Sequence, residues 1–151
     1  MKKLNSILMM LLVAMTSVVF TSCEKEQDEL IIGTWNVTTL DYKVYQNGEL
    51  AETGSEPFRE TWSFTKEGKL IVKYTGDKGG VEQDTYTYSV AGNKLQTNLV
   101  RDYFSETKNY LIIETLDSNH MVLSIEEDYH DTDEYGNYYS YTYKYTVNLR
   151  K

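Results

Sequence analysis

Tyr138-Tyr139-Ser140-Tyr141-Thr142-Tyr143-Lys144-Tyr145-Thr146-Val147-Asn148-Leu149 is the stretch that decides the fold class. Tyr139, Tyr141, Tyr143, Tyr145, Val147 and Leu149 share one face of an extended chain, and Ser140, Thr142, Lys144, Thr146 and Asn148 share the other. Side chains of a strand point alternately to its two faces, so this period of two marks a half-buried β-strand. The aromatic and aliphatic face is expected to point inward, because the second set is comfortable in water. So long a strand would invite association if its edges stayed open.

Outward from it, runs rich in Val, Ile, Thr, Tyr and Trp repeat the same period. Together with 138–149 they make eight expected strands, the others at 33–45, 58–65, 69–75, 81–90, 94–100, 109–116 and 120–126. Lys66-Glu67-Gly68, Gly76 to Gly80, Ala91-Gly92-Asn93, Asp117-Ser118-Asn119 and Gly136-Asn137 punctuate them. Such short links suit antiparallel neighbours, since parallel pairing needs crossovers of a dozen or more residues. The expected class is all-β: an eight-stranded antiparallel up-and-down barrel in which 138–149 closes on 33–45. Closure removes sheet edges. A two-sheet sandwich is the competing arrangement. Leu30, Ile31 and Ile32 are expected to form a short turn over one end.

The chain has 151 residues, 15 Lys+Arg against 23 Asp+Glu, and a formal net charge of -8. That length suits one folded domain, and the acidic balance speaks against nucleic acid as a partner. A single cysteine, Cys23, forms no internal disulfide and builds no four-cysteine zinc site.

Cys23 has another reading. Lys2 and Lys3 precede a mostly apolar run from Leu4 to Phe20, and Thr21 and Ser22 lead into the cysteine. This is the three-part pattern of an export signal, and the run is shorter than the roughly 20 apolar residues of a spanning helix. The segment resembles the lipobox of bacterial lipoproteins, with Phe20 standing where that pattern prefers Leu. The resemblance implies a signal peptide at 1–22 and a mature N-terminus at Cys23. That cysteine would be thioether-linked to diacylglycerol and N-acylated, a firm membrane anchor. Glu24-Lys25-Glu26-Gln27-Asp28-Glu29 then reads as a polar tether at 23–29. Its charge resembles the surface-export signal of Bacteroidetes lipoproteins. The expected location is the bacterial outer membrane, facing the cell exterior.

Residues 30–151 carry a second resemblance. Gly33-Thr34-Trp35 after Leu30-Ile31-Ile32 is similar to the Gly-X-Trp start of lipocalins and lipocalin-like barrels. So are Thr61 to Leu70, as aromatic strand, glycine turn and return strand, and the pair Tyr110–Leu116 and Met121–Ile125. The resemblance implies a barrel base built from Gly33 and Trp35, with Arg150 stacked over the tryptophan.

The expected inner rows are Tyr139, Tyr141, Tyr143 and Tyr145; Tyr86, Tyr88 and Val90; Met121, Leu123 and Ile125; and Trp62, Phe64, Leu70 and Val72. Two readings stay open. In one, Trp62, Phe64, Tyr86, Tyr88, Met121, Leu123 and the tyrosines of the last strand line a pocket for a small hydrophobic or aromatic ligand. Tyrosine suits that use through its apolar body and polar tip. In the other, those rings fill the barrel, and exposed aromatics such as Tyr129, Tyr135 and Tyr138 bind a surface protein or glycan.

Glu126-Glu127-Asp128-Tyr129-His130-Asp131-Thr132-Asp133-Glu134 is expected to be a solvated, self-repelling loop. It departs from the calcium-binding loop, because Tyr135 replaces an oxygen ligand and Thr142 stands in the closing glutamate's place. No metal and no cofactor are expected. His120 and His130 lack neighbours that would mark a catalytic histidine, and the Gly76–Gly80 turn lacks phosphate-loop spacing. The chain is expected to be non-enzymatic.

Overall fold

A computed structural model describes residues 27–151. A short helix, α1, covers 27–31. The strands are β1 (Gly33–Gln46), β2 (Glu49–Phe64), β3 (Lys69–Thr75), β4 (Val81–Ala91), β5 (Lys94–Thr97), β6 (Tyr110–Leu116), β7 (His120–Thr132) and β8 (Tyr138–Arg150). A second helix, α2 (Leu99–Tyr103), interrupts the β5–β6 connection. The strands pair in sequence order, all antiparallel, and β8 returns to β1 to close a barrel. The sandwich alternative is thereby excluded. Cys23 and the segment 1–26 lie outside the described residues.

Closure is complete only near one end. β2 pairs with β3 through Thr61–Phe64 alone, and its residues before Thr61 pair only with β1. β7 likewise leaves β6 after Ser124 and continues beside β8 to Thr132. Beyond the barrel the sheet therefore runs on as a four-stranded extension, ordered β2-β1-β8-β7. Its two open edges, β2 and β7, carry Pro57 and many acidic side chains, devices that discourage strand addition.

Three sequence expectations change here. The strand expected at 58–65 begins at Glu49. Its first half is rich in Glu, with Gly54 and Pro57, all poor strand formers. The overlooked signal is Asn47-Gly48, whose φ values of 52° and 84° make a two-residue hairpin turn. The strand expected at 94–100 stops at Thr97. Leu99, Val100, Tyr103 and Phe104 then follow a helical spacing that turns one face inward. Finally, 126–132 is strand rather than loop. Repulsion is relieved because alternate carboxylates face opposite sides. Glu126 lies opposite Lys144, 3.9 Å between charged atoms, and Asp128 accepts a 2.7 Å hydrogen bond from Thr142.

The core fills the closed end. Trp35 and Trp62 sit opposite each other across β1 and β2 and are fully buried, as are Leu70, Val72, Leu95, Leu111, Met121 and Leu123. Ile31 of α1 caps this core from below and Leu99 and Val100 of α2 cap it from above, all at 0% exposure. The Trp35 indole N–H, which burial would otherwise leave unpaired, donates to the Ile31 carbonyl at 2.7 Å.

Candidate functional site

The base is built around Trp35. Gly33 takes φ of 124°, a conformation that side chains with a Cβ rarely adopt. A Cβ there would also come within 3.3 Å of Lys151. The space belongs to Lys151, whose ammonium lies 4.5 Å from the Trp35 ring centroid and donates to the Leu30 carbonyl at 3.0 Å. The cation over the tryptophan is therefore Lys151 and not Arg150. Arg150 is exposed and pairs in register with Asn36 and His120. Alternation accounts for the shift: Leu149 points inward, Arg150 must point out, and Lys151 comes back over the base.

The expected pocket residues separate into two groups. Trp62, Phe64, Met121 and Leu123 are packed into the closed core. Tyr86 is buried and meets Tyr103 edge-on at 6.5 Å. Tyr88 packs edge-on against Phe64 at 4.9 Å and donates its hydroxyl to the Thr65 carbonyl at 2.7 Å. None of these rings lines an open interior, because α2 stops the barrel. The last-strand tyrosines divide along β8. Tyr145 rests on Phe104 at 5.8 Å. Tyr143 stacks with Tyr145 and meets Tyr129 edge-on at 5.5 Å. Tyr141 accepts from Gln46 at 3.3 Å, and Tyr139 donates to Asp133 at 3.3 Å. Tyr139, Tyr141 and Tyr143 thus belong to the extension and lie outside the closed barrel.

The residues that matter at the mouth are Phe58, Glu60, Tyr103, Phe104 and Glu127, which the periodicity of single strands does not reveal. Tyr103 sits edge-on to Phe58 and beside Phe104, and its hydroxyl donates to Glu60 at 3.2 Å. Glu60 also accepts from the Trp62 indole at 2.9 Å. Burial pushes the Glu60 carboxyl above its ordinary value, and these two hydrogen bonds pull partly against that. Burial and the neighbouring Glu60 charge drive the Tyr103 phenol strongly upward. On the far wall the Tyr74 hydroxyl donates to Asp84 at 3.0 Å, and that bond with burial raises the phenol to about 12.

On the other side of α2 an open cleft of about 650 Å³ separates residues 101–107 from Glu127, Asp128, Tyr129 and His130 of β7. It lies where β7 parts from β6. Tyr103, Phe104 and Tyr129 give it apolar surface; Arg101, Asp102, Glu106 and Glu127 give it charge. Another depression, of about 680 Å³, lies over Thr39, His120 and Asn148 near the base. It lacks an aromatic wall.

The described barrel gives context to what the chain is similar to. The sequence profile of the lipocalin-like domain matches residues 31–123, from the end of α1 into β7. The chain belongs to the lipocalin-like domain family. A comparison with curated proteins finds no match. Among solved structures, a lipocalin-like protein from Bacteroides uniformis aligns with a TM-score of 0.52 at 18% identity, covering 80% of this chain and 97% of that one. A protein from Bacteroides eggerthii aligns at 0.45 and 14% identity, covering 80% and 98%. Lipocalin-like domains commonly bind hydrophobic ligands and are typically non-enzymatic. In this lipocalin-like barrel the side chains of the closed part pack against one another, and of the two concavities described only the one at the mouth has an aromatic wall.

Proposed function

We propose that this chain is a lipid-anchored, non-enzymatic binding protein that takes a small amphipathic ligand with an aromatic or apolar body in the cleft between α2 and β7. The observation that carries the reading is that cleft: its volume falls in the usual range of small-molecule sites, and Tyr103, Phe104 and Tyr129 wall it. Cys23 is the proposed attachment point, and the outer membrane, facing outward, is the proposed location. No helix among the described residues is long and apolar enough to cross a membrane, so attachment in this reading rests on the acyl chains.

The test is a fluorescence titration with N-phenyl-1-naphthylamine, a neutral apolar probe. Saturable binding at one site per chain is expected, weakened about tenfold or more by Phe104→Ala or Tyr129→Ala, since each ring contributes a large part of the contact. Non-saturable binding, or saturable binding indifferent to both substitutions, would remove the cleft as the site.

A second reading is supported by the tip of the extension, where Tyr129, Tyr135 and Tyr138 are more than half exposed together with Leu50. Rings presented this way suit contact with a protein or glycan partner. Loss of partner binding in a Tyr135→Ala, Tyr138→Ala double variant that still binds the probe would favour it.

A further inference from the structure

Glu127 is the anomaly of the cleft. Its side chain is only 7% exposed, yet its Oε1 accepts no hydrogen bond among the described residues. Buried polar atoms are ordinarily paired, and an unpaired buried carboxylate oxygen is costly. The nearest cation is the Lys108 ammonium, 3.9 Å from Oε1, which is too far for a hydrogen bond. Lys108 is instead engaged by the Glu126 carbonyl. The Thr107 hydroxyl reaches the other oxygen, Oε2, at 3.4 Å. Glu127 sits on the inner face of β7 opposite Tyr143, and its neighbour on that face is Tyr129.

We infer that the cleft selects an organic ammonium: a primary or secondary amine on an aromatic or apolar body, its N–H donating to Glu127 Oε1. This rests on the binding reading above and names its ligand class. Three features of the site agree on the sign of the charge. The buried, unpaired acceptor calls for a donor. The faces of Tyr103, Phe104 and Tyr129 attract a cation at short range. Three carboxylates, those of Asp102, Glu106 and Glu127, line the cleft against the single guanidinium of Arg101, with Lys108 beside them. An anionic headgroup would meet repulsion at the same place, and a neutral donor would pair Oε1 without answering its charge.

The experiment compares 2-phenylethylammonium with 2-phenylethanol, close in size and shape, by isothermal titration against the full chain in a nonionic detergent. The ammonium is expected to bind at least about tenfold more tightly, the scale of one charge-assisted hydrogen bond. Glu127→Gln should bring the two affinities together, weakening the ammonium far more than the alcohol, whose O–H an amide oxygen still accepts. Should that variant fold poorly, Lys108→Met gives an independent reading: with the competing cation removed, the preference for the ammonium should widen. Equal affinities in the unsubstituted chain, or a preference that survives Glu127→Gln in a folded protein, would overturn the ammonium class and leave the cleft reading standing. If neither compound binds, both fall.

Discussion

At Gly33 the backbone swings from α1 into β1 with φ of 124°, and the space a side chain would fill is taken by Lys151. Two residues later Trp35 is fully buried, hydrogen-bonded to Ile31 and covered by that same lysine. The Gly-X-Trp motif is thus a local solution to one packing problem: a large ring at the base, a helix below it and a chain that must turn sharply between them. Trp35→Ala should cost about 3–5 kcal/mol, because the ring is fully buried in the core and its removal leaves a cavity. A urea titration showing a loss below about 1 kcal/mol would mean that the base is not held by this ring. Lys151→Ala should cost far less, about 0.5–1 kcal/mol, as for an exposed cation over an aromatic face. Replacement by Arg should preserve most of that contribution in the same titration.

α2 is the element that turns a barrel with a cavity into a filled one. Its five residues put Leu99 and Val100 into the core and end with Tyr103 and Phe104 across the mouth. Its side chains are secured at both ends, with the Asn98 carboxamide accepting the Thr87 amide at 2.8 Å and the Tyr103 hydroxyl bound to Glu60. Leu99→Ala should destabilise by about 2–5 kcal/mol and open the mouth toward the core. Thermal or denaturant unfolding measures the first effect. Increased N-phenyl-1-naphthylamine binding, insensitive to Tyr129→Ala, would report the second. The β7–β8 connection is held differently. Asp133 accepts from the Asn137 side chain and from the Tyr135 and Asn137 amides, all at 2.8–2.9 Å. These bonds, led by that of the Asn137 side chain, hold its carboxyl below the ordinary 3.8. A depressed folded value means that the stabilisation is present above the ordinary value and lost as pH falls through the lowered one. The amide chemical shifts of Tyr135 and Asn137 should therefore titrate with a midpoint below 3.8. An ordinary midpoint would show that the turn is not pinned in solution.

For the whole molecule, the distribution of fourteen tyrosines is the clearest readout. Tyr74 is raised to about 12 chiefly by its hydrogen bond to Asp84, and Tyr86 and Tyr103 are driven higher still, chiefly by burial. Raised folded values contribute stability that is whole below the ordinary 10.0 and is lost as pH climbs through the raised values. Absorbance at 295 nm should therefore rise in two phases, the later one accompanied by loss of β-sheet signal in circular dichroism. A single phase near 10 would place these phenols in water. The period-two alternation of 138–149, the glycine turns and the Gly33-Thr34-Trp35 entry made the strands and their order legible in the chain itself, because each depends on neighbours within a few residues; closure onto β1 was expected only from the need to remove sheet edges. Asn47-Gly48 and the helical spacing at 99–104 were equally local signals, masked by the acidic, proline-bearing strand beside one and by the β-forming composition of the other. The filled interior, the open four-stranded extension and the meeting of Glu127 with Thr107 and Lys108 have no such local mark. Whether an inward ring fills a core or lines a cleft depends on what comes across from the opposite wall, and a buried carboxylate depends on which distant loop settles over it. Sequence alone determined which side chains turn inward; only the tertiary structure decided what they meet there, because that contact is set by barrel closure and by the position of α2.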